Sequence, residues 1–165
     1  MADAYEVAKK PVLIAMMGLP RSGKSTIATK LAEELDAPIV CKDCIRLAMH
    51  GQRYAREAED YIRAVAKTMI KALFLRGHAI VIADETHYSK AARQALHDPM
   101  WTIRWYPVQT PPDVCSERAI ATGQPDLVDV INEMSMRYEP LEDSDIIYRG
   151  YRRNPMHCET CNCTF

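Results

Sequence analysis

The sequence predicts an α/β fold, a three-layer sandwich in which a parallel sheet of four to five strands lies between layers of helices. Three observations carry that expectation. Short runs rich in β-branched, aromatic and other apolar residues recur at 12–17, 38–42, 78–83 and 101–106. Stretches with apolar residues at three- and four-residue spacing separate them. The first and third runs are almost wholly apolar instead of alternating, as expected for strands covered by helices on both faces. Strands that alternate with helices imply crossover connections and so a parallel sheet.

Taken in order, Val12–Met17 is the first strand, and 25–35 is a helix with Ile27, Ala28, Leu31, Ala32 and Leu35 on one face. The second strand, 38–42, is short and buried and ends at Asp43. A short helix over 44–50 closes at His50-Gly51. From Tyr54 to Arg76 the positions Tyr61, Ile62, Val65, Ala66, Met69, Ile70, Leu73 and Phe74 form an amphipathic face, with Met69 expected in the core and Gly77 as the stop signal. The third strand is 78–83, followed by a loop over 84–87 and a helix opened by Ser89 that runs to Leu96. Mixed polarity over 101–106 places the fourth strand near an edge. Pro111 and Pro112 start a helix toward Ala121, a polar loop holds Gly123 and Pro125, a further helix covers 126–138, and 145–149 is a candidate fifth strand. Repeats and low-complexity segments are absent from the sequence.

A chain of 165 residues with 48% hydrophobic content is long enough for one domain with its own core. The division expected is a folded domain over 1–150 and a Cys-rich tail over 151–165. A net charge of −1 argues against a broad basic surface for long polyanions and leaves room for a local basic groove. Residues 1–10 are mixed and charged, unlike a signal peptide, and every apolar run is far too short to cross a bilayer. These features predict a cytoplasmic protein with no membrane partner, its six cysteines held mostly as reduced thiols.

The turn after the first strand reads Gly18-Leu19-Pro20-Arg21-Ser22-Gly23-Lys24-Ser25, with Thr26 next, and fits the pattern G-x-x-x-x-G-K-[ST] at every fixed position. Glycines let backbone N–H groups turn toward an anion without side chains intervening, and the start of the next helix adds unpaired donors and a favourable dipole. The nine residues from Gly18 to Thr26 are therefore predicted to hold the phosphates of ATP, with Lys24 at the β and γ groups. Ser25 is expected to offer its hydroxyl to magnesium. A plain glycine-rich turn is the bland alternative, and the strand before and helix after argue against it.

Two more polar groups fall at predicted carboxyl ends of strands, where ligands gather in this architecture: Asp43-x-x-Arg46 and Asp84-Glu85. A carboxylate there could accept a hydroxyl proton, and Arg46, one helical turn on, could grip a substrate phosphate. Asp43 equally suits an N-cap of the following helix, and the spacing leaves both roles open.

Together these residues resemble the kinase domain of polynucleotide 5′-hydroxyl kinases and the small phosphate-loop kinases around it, over most of residues 12–140. The resemblance implies the phosphate-loop kinase type of sandwich and transfer of the γ-phosphate of ATP to a hydroxyl, foremost the 5′-hydroxyl end of a nucleic acid. It implies Asp43 as general base, Arg46 at the acceptor end, Lys24 and Arg118 on the transferring phosphoryl, and Ser25 with Asp84 or Glu85 around magnesium. Thr86 and His87 would face the substrate, although His87 stands where the family writes Asn. A second lid arginine is missing, since Thr122 occupies its place; Arg149, Arg152 and Arg153 are replacements or an ordinary solvated cluster. Other acceptors open on the same scaffold are a small metabolite, a nucleoside or a hydroxymethylated base in DNA. A non-enzymatic nucleotide-dependent switch would have no need of Asp43-x-x-Arg46.

The tail His157-Cys158-x-x-Cys161-x-Cys163 offers four metal ligands, yet only half of a zinc site by spacing. Cys41-x-x-Cys44 is a second half in principle, but it brackets Asp43. The tail is therefore expected to be metal-free, and His50, His78 and His97 are ordinary residues.

Overall fold

The structure, a computed structural model, describes residues 10–52, 54, 56–142, 144, 145, 147 and 148. The Cys-rich tail and Arg149, Arg152 and Arg153 lie outside the described residues. In chain order the elements are β1 (Val12–Met17), α1 (Lys24–Leu35), β2 (Ile39–Cys41), α2 (Lys42–His50), a 3₁₀ turn (Arg56–Ala58) and α3 (Glu59–Leu75). They continue with β3 (Ile80–Asp84), α4 (Lys90–Ala95), β4 (Thr102–Pro107), α5 (Pro112–Ala121) and α6 (Leu127–Met136).

The four strands form one parallel sheet in the order β2-β3-β1-β4. Alternate residues of β1 serve opposite layers, as a period of two requires. Leu13 and Ala15 pack with Ile62, Ala66, Ile70 and Phe74 of α3, whereas Ile14 and Met16 pack with Ala28 and Leu31 of α1. This is the three-layer α/β sandwich that the sequence predicts. A third small cluster of Leu19, Cys115, Ala119 and Ile131 seats α5 and α6 on the loop after β1.

Several boundaries differ from the sequence expectation. Residues 56–58 form a 3₁₀ turn instead of extending α3, and the α-helix starts at Glu59. Its buried row is Ile62, Ala66, Ile70 and Phe74, four residues apart. Tyr61 and Met69 precede members of that row by one residue, a rotation of about 100°, and are 70% and 42% exposed. Met69 is thus not a core residue. β3 runs on through Asp84, which pairs with Cys41. At the far edge, the expected fifth strand is a single parallel bridge of Ile147 to Trp105, with Tyr148 N–H donating to the Trp105 carbonyl at 2.7 Å, among the described residues. No helix among the described residues is long and apolar enough to cross a membrane.

Candidate active site

β1 delivers the chain to the sheet's carboxyl edge, and neighbours on both sides fasten it there. Val108 N–H donates to the Met17 carbonyl at 2.7 Å and Gly18 N–H to the Thr86 carbonyl at 2.9 Å. Gly18 takes φ +150°, and a β-carbon built on it would meet the Val108 carbonyl oxygen at 2.6 Å, so the position admits only glycine. Gly23, at φ +100°, is the N-cap of α1, which has neither a side-chain cap nor an acidic residue in its first turn. The helix start therefore keeps amide donors and dipole for an anion.

The Lys24 ammonium donates to the Leu19 carbonyl at 2.5 Å and reaches Ser22 Oγ at 3.4 Å. Burial pushes its pKa down, opposed first by the nearby Asp84 carboxylate. Thr110 Oγ1 donates to the Ser22 carbonyl at 2.8 Å, and Arg118 Nη1 donates to the Arg21 and Ser22 carbonyls at 3.3 Å. Arg118 on α5 thus stands over the loop. Thr122 instead donates to the carbonyls of Arg118 and Ala119, within its own helix.

Asp84 and Glu85, equivalent in sequence, part company in space. Glu85 pairs with Lys42 at 3.0 Å, while Asp84, 9% exposed, ends β3 beside Lys24. Among the described residues no group of three or more His, Cys, Asp or Glu side chains is arranged to hold a metal alone. The hydroxyl of Ser25 and the carboxylate of Asp84 are hard oxygen donors of the kind that suits magnesium sharing its shell with phosphate and water.

Asp43 is not the N-cap of α2. The helix begins one residue earlier, at Lys42, and Cys41 caps it: its Sγ accepts from Cys44 N–H at 3.4 Å. Asp43 lies in the first turn with its side chain 76% exposed. Arg46 Nη1 donates to Asp43 Oδ1 at 2.5 Å. The rest of the guanidinium is taken by a residue that sequence reasoning missed, since Nε and Nη2 donate to the two carboxylate oxygens of Glu59 at 2.7 Å each. These hydrogen bonds raise the pKa of Arg46 and lower that of Glu59. An acidic residue opening a helix is too ordinary to have signalled this role.

His87, expected to face substrate, faces the interior. Its side chain is 1% exposed, its ring meets Trp105 edge-on at 5.6 Å, and Nδ1 lies 2.6 Å from the Met16 carbonyl. Burial lowers its pKa, and Nε2 has no hydrogen-bond partner. Thr86, partly buried, reaches the phosphate loop through its backbone carbonyl. Cys41, Cys44 and Cys115 are free thiols.

A parallel sheet with this loop between β1 and α1 defines a phosphate-loop kinase type of domain. The chain matches the AAA domain family over residues 13–141 and belongs to it. No curated protein sequence matches the chain. Among solved structures, a chain of the Pnkp1/Rnl/Hen1 RNA repair complex superposes with a TM-score of 0.62 at 16% identity, covering 90% of this chain and 55% of that one. This protein therefore spans about half the length of that relative. A putative kinase from Chloroflexus aurantiacus gives 0.64 at 20% identity, covering 84% and 86%. The APS kinase CysC of Mycobacterium tuberculosis, solved with AMPPNP and APS, gives 0.64 at 17%, covering 85% and 88%. At such identities these likenesses establish the fold.

Proposed function

We propose that this protein is an ATP-dependent kinase that transfers the γ-phosphate to a hydroxyl of a small metabolite or nucleoside. The kinase reading is supported by the uncapped start of α1 behind Gly18–Ser25, with Asp84 beside Lys24 and an exposed carboxylate, Asp43, just beyond the neighbouring strand. The acceptor class rests on one observation. Arg46, which in a polynucleotide kinase would meet the acceptor end, already spends three donors on Glu59 and Asp43. A net charge of −1 adds little for a polyanion. The likeness to a chain of an RNA repair complex favours a second reading, the 5′-hydroxyl end of a nucleic acid.

In the reaction the acceptor oxygen forms a bond to the γ-phosphorus, its proton passes to Asp43, and the bond to the β–γ bridging oxygen breaks to release ADP. Lys24 exchanges its contacts with Leu19 and Ser22 for phosphate oxygens, and Arg118 turns from the loop carbonyls to the transferring group. Ser25 and Asp84 would hold magnesium, which would supply neutralisation of phosphate charge, and Glu85 is left to Lys42. Positioning and electrostatics supply most of the rate, with a general base worth about 10²–10⁴-fold. ATP use and free thiols fit a cytoplasmic setting.

Incubation with γ-labelled ATP and a panel of sugars, nucleosides and 5′-hydroxyl oligonucleotides tests the proposal. Label is expected on a small acceptor. Labelling of oligonucleotides alone would select the second reading, and nucleotide binding without any transfer would point to a switch.

A further inference from the structure

We propose that Glu59 is a positioning residue for the general base, acting through Arg46; the inference rests on the kinase reading above. Asp43 is 76% exposed, and an i,i+3 ion pair on a helix surface is too weak to hold a carboxylate still against water. The restraint comes from the other side of the guanidinium. Arg46 is only 14% exposed, and its Nε and Nη2 engage both oxygens of Glu59, itself 8% exposed as a residue. Two parallel bonds fix the plane of the fork as well as its position, which a single point contact would not do. With that plane set, Nη1 is aimed at Asp43 Oδ1, and Oδ2 is left to take the acceptor proton.

Glu59 is also the junction between two parts of the site. Lys42 Nζ lies 4.0 Å from Glu59 and 3.0 Å from Glu85, which follows Asp84. A line of alternating charges, Asp43–Arg46–Glu59–Lys42–Glu85, thus runs from the proton acceptor to the exit of β3. Its middle member sits at the first residue of α3, so packing of α3 on the sheet sets where the base stands. The assignment also accounts for a buried carboxylate where an apolar residue would cost less desolvation.

The test is steady-state kinetics on the full chain, with the nucleosides, sugars and 5′-hydroxyl oligonucleotides of the panel as acceptors. Glu59→Gln is expected to lower kcat about tenfold with the KM for ATP unchanged, because only the proton acceptor loses its alignment. In the Asp43→Asn background the same change should cost nothing further, since Glu59 acts only through Asp43. Arg46→Lys, which keeps the charge but cannot bridge two carboxylates, should match Glu59→Gln and carries the test if that variant melts early. Wild-type rates in both variants, or a loss that multiplies with that of Asp43→Asn, would overturn the proposal while leaving the kinase reading intact. Full activity of Asp43→Asn itself would remove the base and this proposal with it.

Discussion

Gly18 faces the backbone of Val108 so closely that a β-carbon on it would stand 2.6 Å from the Val108 carbonyl oxygen. β4 and the phosphate loop therefore share one wall. Gly18→Ala has to push the loop off that wall and also adopt φ +150°, a conformation that side chains rarely take. We expect it to cost about 1–3 kcal/mol in thermal unfolding and to weaken ATP binding in the same protein. Unchanged melting and affinity would show that the loop is free to shift.

Lys24 carries its charge at a buried position, 7% exposed, against a carbonyl and a hydroxyl. Burial already works against that charge in the folded state. Lys24→Met keeps the volume and removes the penalty, so the melting temperature should hold or rise. Phosphoryl transfer should fall by on the order of 10²-fold or more, because the charge serves the γ-phosphate. Transfer near the wild-type rate would refute the loop's role.

The phosphate loop was legible because its residues are contiguous and their spacing is set by local backbone geometry. The strands were legible as apolar runs, and the burial pattern of β1 bears that reading out. What escaped detection depends on contacts far along the chain. Glu59 meets Arg46 across 13 residues, and His87 meets Met16 across 71. Neither pairing leaves a periodic trace. The start of α2 was misplaced for another reason: a cysteine sulfur is a weak acceptor, so the preference for Asp at caps pointed to the wrong residue.

His87 makes stability depend on pH. Burial holds its pKa below the ordinary 6.5, with Glu85 opposing and Lys42 and Lys24 assisting. Below 6.5 the unfolded chain takes up a proton that the folded one refuses, so stability present at higher pH is lost as the pH falls toward the folded value. His87→Asn keeps an N–H for the Met16 carbonyl and removes the titration. The drop in melting temperature between about pH 7.5 and about pH 5 should be smaller in the variant than in wild type. Equal drops would mean that other groups carry the effect.

Asp43 and Cys41 divide between them two roles that the sequence left to one residue, and their variants should separate cleanly. Asp43→Asn touches no cap and removes only an exposed ion pair with Arg46, so its melting temperature should stay near that of wild type. Turnover should fall about 10²-fold or more as the proton acceptor is lost. Cys41→Ala has the opposite profile. Burial, with help from Cys44, pushes the Cys41 thiol up to about 12, so the cap is a neutral sulfur and its hydrogen bond a weak one. Its removal should cost about 0.5–1 kcal/mol of stability with little change in turnover. Calorimetry and single-turnover transfer on the two proteins decide the matter. If Asp43→Asn melts as early as Cys41→Ala and transfers phosphate at the wild-type rate, Asp43 serves the helix and the base must be sought elsewhere.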